Sequence, residues 1–406
     1  MDDHAGATFG PFTDFSGKEF HNANFQGAVF EGKVSFANAK FTGRTNFSKA
    51  QFKGIADFTN TRFSSDAVFE QATFDEPAKF DHSRFEGAAQ FQRACFSHDA
   101  HFPHVSFSGI ANFRNTEFHA WGLFNSSAFA STVDFAETTF FGSANFSDTK
   151  FDQDAGFPRT RFIAFADYSR SRFQGPARFN EARLECKTLF RDAVFEHDAE
   201  FCDCRFTHPV NFASALFRKP VSFERVIFLQ FVDFSRLQIE ASFLLSPPKG
   251  SAGLAPEIRF ESVSIEHPEQ VRFSNISFEK ITLMSTTLRG IRFENPRWPR
   301  RGLFQKRCVV YDEIQKDKPD PEKLTQLYRD IRANLKAAGV KADLGDLLYS
   351  QLEVTRKQRR SGDDPLYALR RYLSPYTLLW LTCGYGQRPL RAVITAAAVV
   401  LAYWAR

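Results

Sequence analysis

The chain has 406 residues, a formal net charge of +5, and 50 phenylalanines against nine tyrosines, four tryptophans and two methionines. An ordinary mixed core does not use aromatic residues in that ratio, so the composition excludes an irregular globular domain and points to an internal repeat. Residues 1–240 hold 25 Lys and Arg against 30 Asp and Glu, whereas residues 241–406 hold 27 against 17, so the basic character belongs to the last part of the chain.

The six cysteines include one close pair, Cys202 and Cys204, and no apolar run follows Met1. This argues for a reducing compartment and against secretion or a disulfide framework.

The first predicted elements are repeats. Stepping by eleven from Phe36 gives Phe47, Phe58, Phe69 and so on to Phe234, with Tyr168 substituting once. A second series starts at Phe30 and runs through Phe41 and Phe52 to Phe228, with Leu184 substituting once and Ile239 at its end. The period of eleven is therefore one five-residue and one six-residue unit. Two residues before the Phe, nearly every unit has a small residue, as at Ala39, Ala50, Thr61, Ala72, Ser83, Ala94, Thr116 and Cys204. In extended chain, residues two apart face the same side, so each unit sends one small and one large side chain inward. Outward positions are mostly polar, as at Asn46, Asp57, Arg62 and Lys79.

Stacked coils need equivalent residues above one another, so a coil must hold an even number of units. Two units cannot enclose phenylalanines, and six would leave a hole they could not fill. Four units remain, about 22 residues per coil, with the sixth residue forming a bulge or wider corner on two opposite sides.

This pattern resembles the pentapeptide-repeat family, whose units read roughly Ala-x-(Leu/Phe)-x-x, over residues 13 to about 293. The resemblance implies a mainly β fold: a right-handed parallel β-helix with four short sides per coil. The extra residue in alternate units departs from the plain pattern and is similar to a Phe-rich branch of the family. The ends are spaced by fives, at Phe15, Phe20, Phe25 and Phe30 and again at Phe273, Phe278, Leu283, Leu288 and Phe293. The β-helix is expected over 1–298, interrupted near 244–258 by "LLSPPKGSAGLAPEI".

Residues 299–319 read as a linker and 320–361 as a helical hairpin. Asp320 is the expected N-cap and Pro321 the first helical residue. Leu324, Leu327, Tyr328, Ile331 and Leu335 keep helical spacing, Gly339 breaks it, and Leu344, Leu347, Leu348 and Leu352 resume it. Residues 362–406 are expected to be membrane-proximal and to end in an apolar helix. Leu390 to Trp404 carries one charge, Arg391, and is slightly short of the ~20 residues that span a bilayer. The tail is similar to that of bacterial pentapeptide-repeat membrane proteins through Tyr385, Gly386, Gln387, Arg388 and Pro389. That likeness implies either one short membrane helix or a longer membrane region that the sequence enters.

Four other features have the residue types of a site. "TCGYG" at 382–386 resembles a potassium-channel filter, but no long apolar helix precedes it, so it reads as a turn. In the repeat register Cys204 is an inward small position and Cys202 points outward, which opposes chelation. His82 and His104 stack in one outer column, where two imidazoles alone make a weak zinc site. Lys40, Arg62 and Arg84 share one column and Arg161, Arg183 and Arg205 another, and interleaved acids make these mixed solvated faces. No catalytic, cofactor-binding or metal residue is assigned, and no cofactor is expected.

The expectation is a non-enzymatic scaffold: a rigid rod on the cytoplasmic face of the plasma membrane, tethered by its C-terminal segment. Arg356, Lys357, Arg359 and Arg360 would be the basic flank, with Arg370, Arg371 and Arg388 nearer the apolar segment. Expected partners are the membrane and an unidentified protein on the rod surface, with no nucleic acid; homo-oligomerisation is left open. The alternatives are a regulatory domain of an ion-channel-like protein and a DNA-mimicking gyrase inhibitor, which the weak negative charge of the array fits poorly.

Overall fold

The computed structural model describes residues 2–248, 256–302, 307–315, 320–341, 343–358 and 375–404. The chain divides into two compact units, Met1–Arg259 with Val263–His267, and Phe260–Ser262 with Pro268–Arg406. The interruption expected near 244–258 lies partly outside the described residues.

The first unit is a coil of short strands, most of them two residues long, in four parallel sheets. Each strand pairs with the one four strands further on. Gln51 lies against Thr73, Ala56 against Ala78, Arg62 against Arg84 and Ala67 against Ala89. The step is the same on every face and is twice the eleven-residue period of the phenylalanines, as closure by four units requires. The first coil is one residue shorter, with Asp2 against Ala23, Phe12 against Lys33 and Glu19 against Lys40. This follows from the sequence, because spacing by fives from Phe15 to Phe30 removes one six-residue side.

The interior is four columns of rings. Phe113 is fully buried and stacks on Phe91 at 4.9 Å and on Phe135 at 4.8 Å, its neighbours one coil below and above. It meets Phe102 and Phe124 edge-on at 5.7 and 5.3 Å. Offset-stacked and edge-to-face pairs are the two favoured aromatic geometries. The small inward residues fill the space between columns, and many do more than leave room. The hydroxyls of Thr61, Ser83, Thr116, Thr138 and Thr160 donate to the carbonyls of Phe36, Phe58, Phe91, Phe113 and Phe135 at 2.6–2.8 Å.

The uneven spacing makes two kinds of corner. After each Phe of the first series the chain turns tightly: the Ala39 N–H donates to the Phe36 carbonyl at 2.9 Å, and Asn38 between them has φ 59°. The same left-handed position recurs every eleven residues, from Asn38 to Arg236. An Asn or Asp one residue before the Phe often starts the corner, as where Asn46 accepts from the Ser48 N–H at 2.9 Å and Asp134 from Ala136 at 2.7 Å. At the other corner successive coils approach closely. A Cβ on Gly54 would fall 2.3 Å from the backbone of Gly32.

In the second unit, Val271–Ser274 pairs in parallel with Arg292–Glu294, Phe273 against Phe293, a step of four units of five that matches the closer spacing there. Trp298 stacks on Phe278 at 4.4 Å. An antiparallel pair, Arg300–Arg301 with Arg307–Cys308, and a 3₁₀ turn at Tyr311–Glu313 follow. Among the described residues there are then four helices: α1 Pro321–Ala337, α2 Leu344–Gln358, α3 Pro375–Cys383 and α4 Pro389–Trp404. Asp320 caps α1 by accepting from the Glu322 N–H at 2.9 Å, with Pro321 opening the helix. Gly339 lies just beyond its end with φ 71°.

Side chains close the coil within this unit. Asp312 is buried and accepts from the N–H groups of Leu283 (3.0 Å) and Met284 (2.9 Å). Asn334 of α1 accepts from the Gly290 N–H at 2.8 Å and donates to the Leu288 carbonyl at 2.6 Å. Ser350 of α2 donates to the Cys308 carbonyl at 2.5 Å.

Candidate functional site

The outer faces of the first unit are ladders. Lys40, Arg62 and Arg84 are partners in register on successive coils, as are Arg161, Arg183 and Arg205. Like charges one above another repel, and carboxylates offset them diagonally. Arg62 pairs with Glu86 at 2.8 Å and Arg161 with Glu185 at 3.3 Å. Each acid stands just beyond the arginine stacked one coil further on. On the corner column, Arg170 and Arg225 form two-point pairs with Asp148 and Asp203, the acids one coil below. These guanidinium groups hold both carboxyls below the usual carboxylate range.

His82 and His104 stack with centroids 4.9 Å apart and planes 2° from parallel. They line a shallow groove of about 610 Å³ with Asn60, Arg84, Glu86, Ser106 and Ser108. Both rings sit at left-handed corner positions, with φ near 56° and 55°.

Cys204 is buried and its thiol donates to the Phe179 carbonyl at 2.8 Å, while Cys202 reaches the hydroxyl of Ser222 at 3.4 Å. The two sulfurs thus have separate partners, and the Cys204 thiol is pushed well up by burial.

Sequence reasoning missed a cluster that the coil assembles. Cys95 lies against Glu117 in register, His119 follows two residues on, and their ligand atoms all lie within 4.8 Å of one another. The signal was present as a Cys and a Glu one coil apart, and becomes visible once the sequence is wound at that period.

In the second unit, α3 and α4 form a hairpin whose turn, residues 384–387, takes in the last three residues of "TCGYG". Gly384, Tyr385 and Gly386 all have positive φ, and the N–H groups of Gly386 and Arg388 both donate to the Cys383 carbonyl. Thr395 bonds across the hairpin to the Thr382 carbonyl at 3.2 Å.

The turn end of the hairpin is latched to α2. Trp380 donates to the Tyr349 hydroxyl at 2.9 Å, Arg356 lies 4.4 Å over the Trp380 ring, and Arg388 pairs with Asp346 at 3.1 Å. Away from the latch the hairpin exposes Leu378, Leu381, Leu390, Val393, Ile394, Val400, Leu401 and Trp404.

Two membrane expectations change. Arg356 is not a free basic flank: it is 5 % exposed and paired with Glu353 along α2. The apolar segment does form a helix, α4, but no described helix is long and apolar enough to cross a membrane. Arg359, Arg360, Arg370 and Arg371 lie outside the described residues.

Four parallel sheets, wound at twice the phenylalanine period around stacked rings, define a β-solenoid repeat protein. The family model for pentapeptide repeats (9 copies) matches residues 15–62, 58–106 and 168–216, so these stretches of the chain are similar to that family. No curated protein and no solved structure matches it.

Proposed function

We propose that this protein is a non-enzymatic scaffold whose coil presents its outer faces to a protein partner and whose α3–α4 hairpin holds it at the cytoplasmic face of the plasma membrane. The hairpin carries this reading. Its two helices expose many leucines, valines and Trp404, and large exposed apolar surfaces mark interaction or membrane sites. Neither helix is long enough to cross a membrane. Insertion of the hairpin's apolar end, with Arg388 and Arg391 at the turn directed back toward α2, requires no crossing. The diagonal Arg–Glu pairs neutralise the acidic columns of the coil, which supports a protein partner rather than mimicry of a nucleic acid.

Vesicle flotation tests the tether. The full chain should float with liposomes containing anionic lipid, and a chain lacking 388–406 should stay at the bottom with its β-sheet circular dichroism unchanged. Equal flotation of the two would sink the reading.

A further inference from the structure

We propose that Cys95, Glu117 and His119 form a site for a divalent transition-metal ion of the zinc type on the outer surface of the first unit. Two adjacent strands supply it, Cys95–Phe96 and Glu117–Phe118. The phenylalanines of both strands are buried, so the residues between them and the solvent face are directed outward, and the register sets Glu117 directly above Cys95. His119 shares the outward face with Glu117, and its Nε2 lies 3.1 Å from Glu117 Oε2.

The imidazole is also oriented. It stacks on Phe141, one coil further on, at 4.6 Å and 8° from parallel. Zinc binds thiolate, imidazole and carboxylate at about 2.0–2.3 Å, which places neighbouring ligand atoms of a tetrahedron roughly 3.3–3.8 Å apart. The three ligand atoms, already within 4.8 Å of one another, lie within about 1.5 Å of that spacing.

The local field suits a cation. Glu117 stands beside the Cys95 sulfur, and a bound dication would hold the thiol as the thiolate, its proton going to solvent. Three protein ligands leave a fourth position for water or for a group from a partner.

The chain offers a comparison. Cys308, Asp343 and Asp346 also converge, but Arg300 pairs with Asp343 at 2.8 Å and Arg388 with Asp346 at 3.1 Å. Cations already compensate that cluster, whereas Glu117 has only His119 for a partner among the described ion pairs.

Cobalt(II) titration of the full chain is the test, because thiolate ligation gives a charge-transfer band in the near ultraviolet and tetrahedral geometry gives strong visible bands. Zinc retained after dialysis provides the second readout. About one equivalent is expected per chain. Cys95→Ser should abolish the charge-transfer band. Glu117→Gln and His119→Ala should each weaken binding by at least about tenfold, the lower end of what losing an outer-shell partner costs. Cys202→Ser and Cys308→Ser should bind as the parent does. All these side chains lie outside the ring columns, so far-ultraviolet circular dichroism should be unchanged and will report any variant that fails to fold. Absence of a thiolate band in the parent, or equal metal uptake by the Cys95→Ser, Glu117→Gln, His119→Ala triple variant, overturns the site.

Discussion

In the first unit the N–H of Phe36 finds the carbonyl of Asp57, 2.7 Å away in the next coil, and the same bond recurs coil after coil. In the second unit the N–H groups of Leu283 and Met284 find the carboxylate of Asp312 instead, and Gly290 and Leu288 find Asn334. Both arrangements meet the same requirement, that buried backbone groups be paired. The coil meets it with backbone, so any outward side chain is compatible with the bond. The closing segment meets it with particular side chains, each used once. Sequence tolerance should therefore be set by volume in the coil and by chemistry in the closing segment.

The largest expected effect tests the volume half of that contrast. Phe113→Ala removes a ring from contact with six others and leaves a cavity in a column that cannot collapse without shifting every coil. It should cost about 3–5 kcal/mol in denaturant unfolding. A loss below about 1 kcal/mol, the size typical of a surface substitution, would mean that the columns repack and that the coil is not volume-limited.

The next effect tests the chemistry half and reads as an opposite pH dependence. Burial pushes the Asp312 carboxyl up to about 6, against the pull of the Leu283 and Met284 N–H groups. The folded state then holds this proton more tightly than the unfolded chain, whose ordinary value is 3.8. Its contribution is complete below the unfolded value and is lost as pH rises through the folded one. Asp148 and Asp203 in the coil are lowered by Arg170 and Arg225, so their contribution is present above the ordinary value and lost as pH falls. Amide exchange at Leu283 and Met284 should accordingly speed up between pH 4 and pH 7, after correction for intrinsic rates, by an amount equivalent to about 2–3 kcal/mol. Asp312→Asn should flatten that profile. A profile of the same sign in both units would refute the distinction.

The same contrast explains what could be read from the sequence. The columns were legible because one residue type at one spacing is repeated many times, and steric closure alone then gives the length of a coil. The two kinds of corner followed from the five-and-six alternation. The hydroxyl bonds of Thr61 and Ser83 were legible only as small size, since spacing does not reveal a donor. Asp312 and Asn334 were illegible because a residue used once leaves no pattern; both stood in segments read as linker and as amphipathic helix. Arg356 misled for a related reason. Its charge was visible in the sequence, and so was Glu353 three residues earlier on the same helix, but the Trp380 ring against it is a tertiary fact. Cys95, Glu117 and His119 were hidden by distance along the chain rather than by chemistry.

A smaller effect concerns a fully buried polar atom inside the ring columns. Tyr168 is fully buried, stacks on Phe146 and Phe190 at 4.9 Å each, and its hydroxyl has no hydrogen-bond partner among the described residues. Tyr168→Phe keeps both stacks and removes the desolvated hydroxyl, so it should stabilise the first unit by about 1 kcal/mol. Destabilisation would show that the hydroxyl is satisfied and that the column tolerates polarity.

The smallest effect lies at the corners, where the units again differ. The second unit places glycine at many of its positive-φ positions, including Gly290, Gly339, Gly384 and Gly386. The first unit repeats a positive φ from Asn38 to Arg236 with Lys, Gln, His, Arg, Glu, Asp, Ser and Asn but no glycine in that series. A left-handed residue with a Cβ costs roughly 1–2 kcal/mol, and glycine avoids this while losing about 0.5–1 kcal/mol more chain entropy on folding. The two terms nearly cancel, which accounts for the absence of a strong preference in an array already held by its neighbours. Arg93, exposed at φ 57° and without an ion pair among those described, isolates the balance. Arg93→Gly should raise the stability of the coil by about 0.5 kcal/mol, read as a small upward shift in the denaturant midpoint with an unchanged slope. A fall of about 1 kcal/mol or more would mean that the arginine side chain itself supports the corner, and the coil would then depend on outward chemistry as the closing segment does.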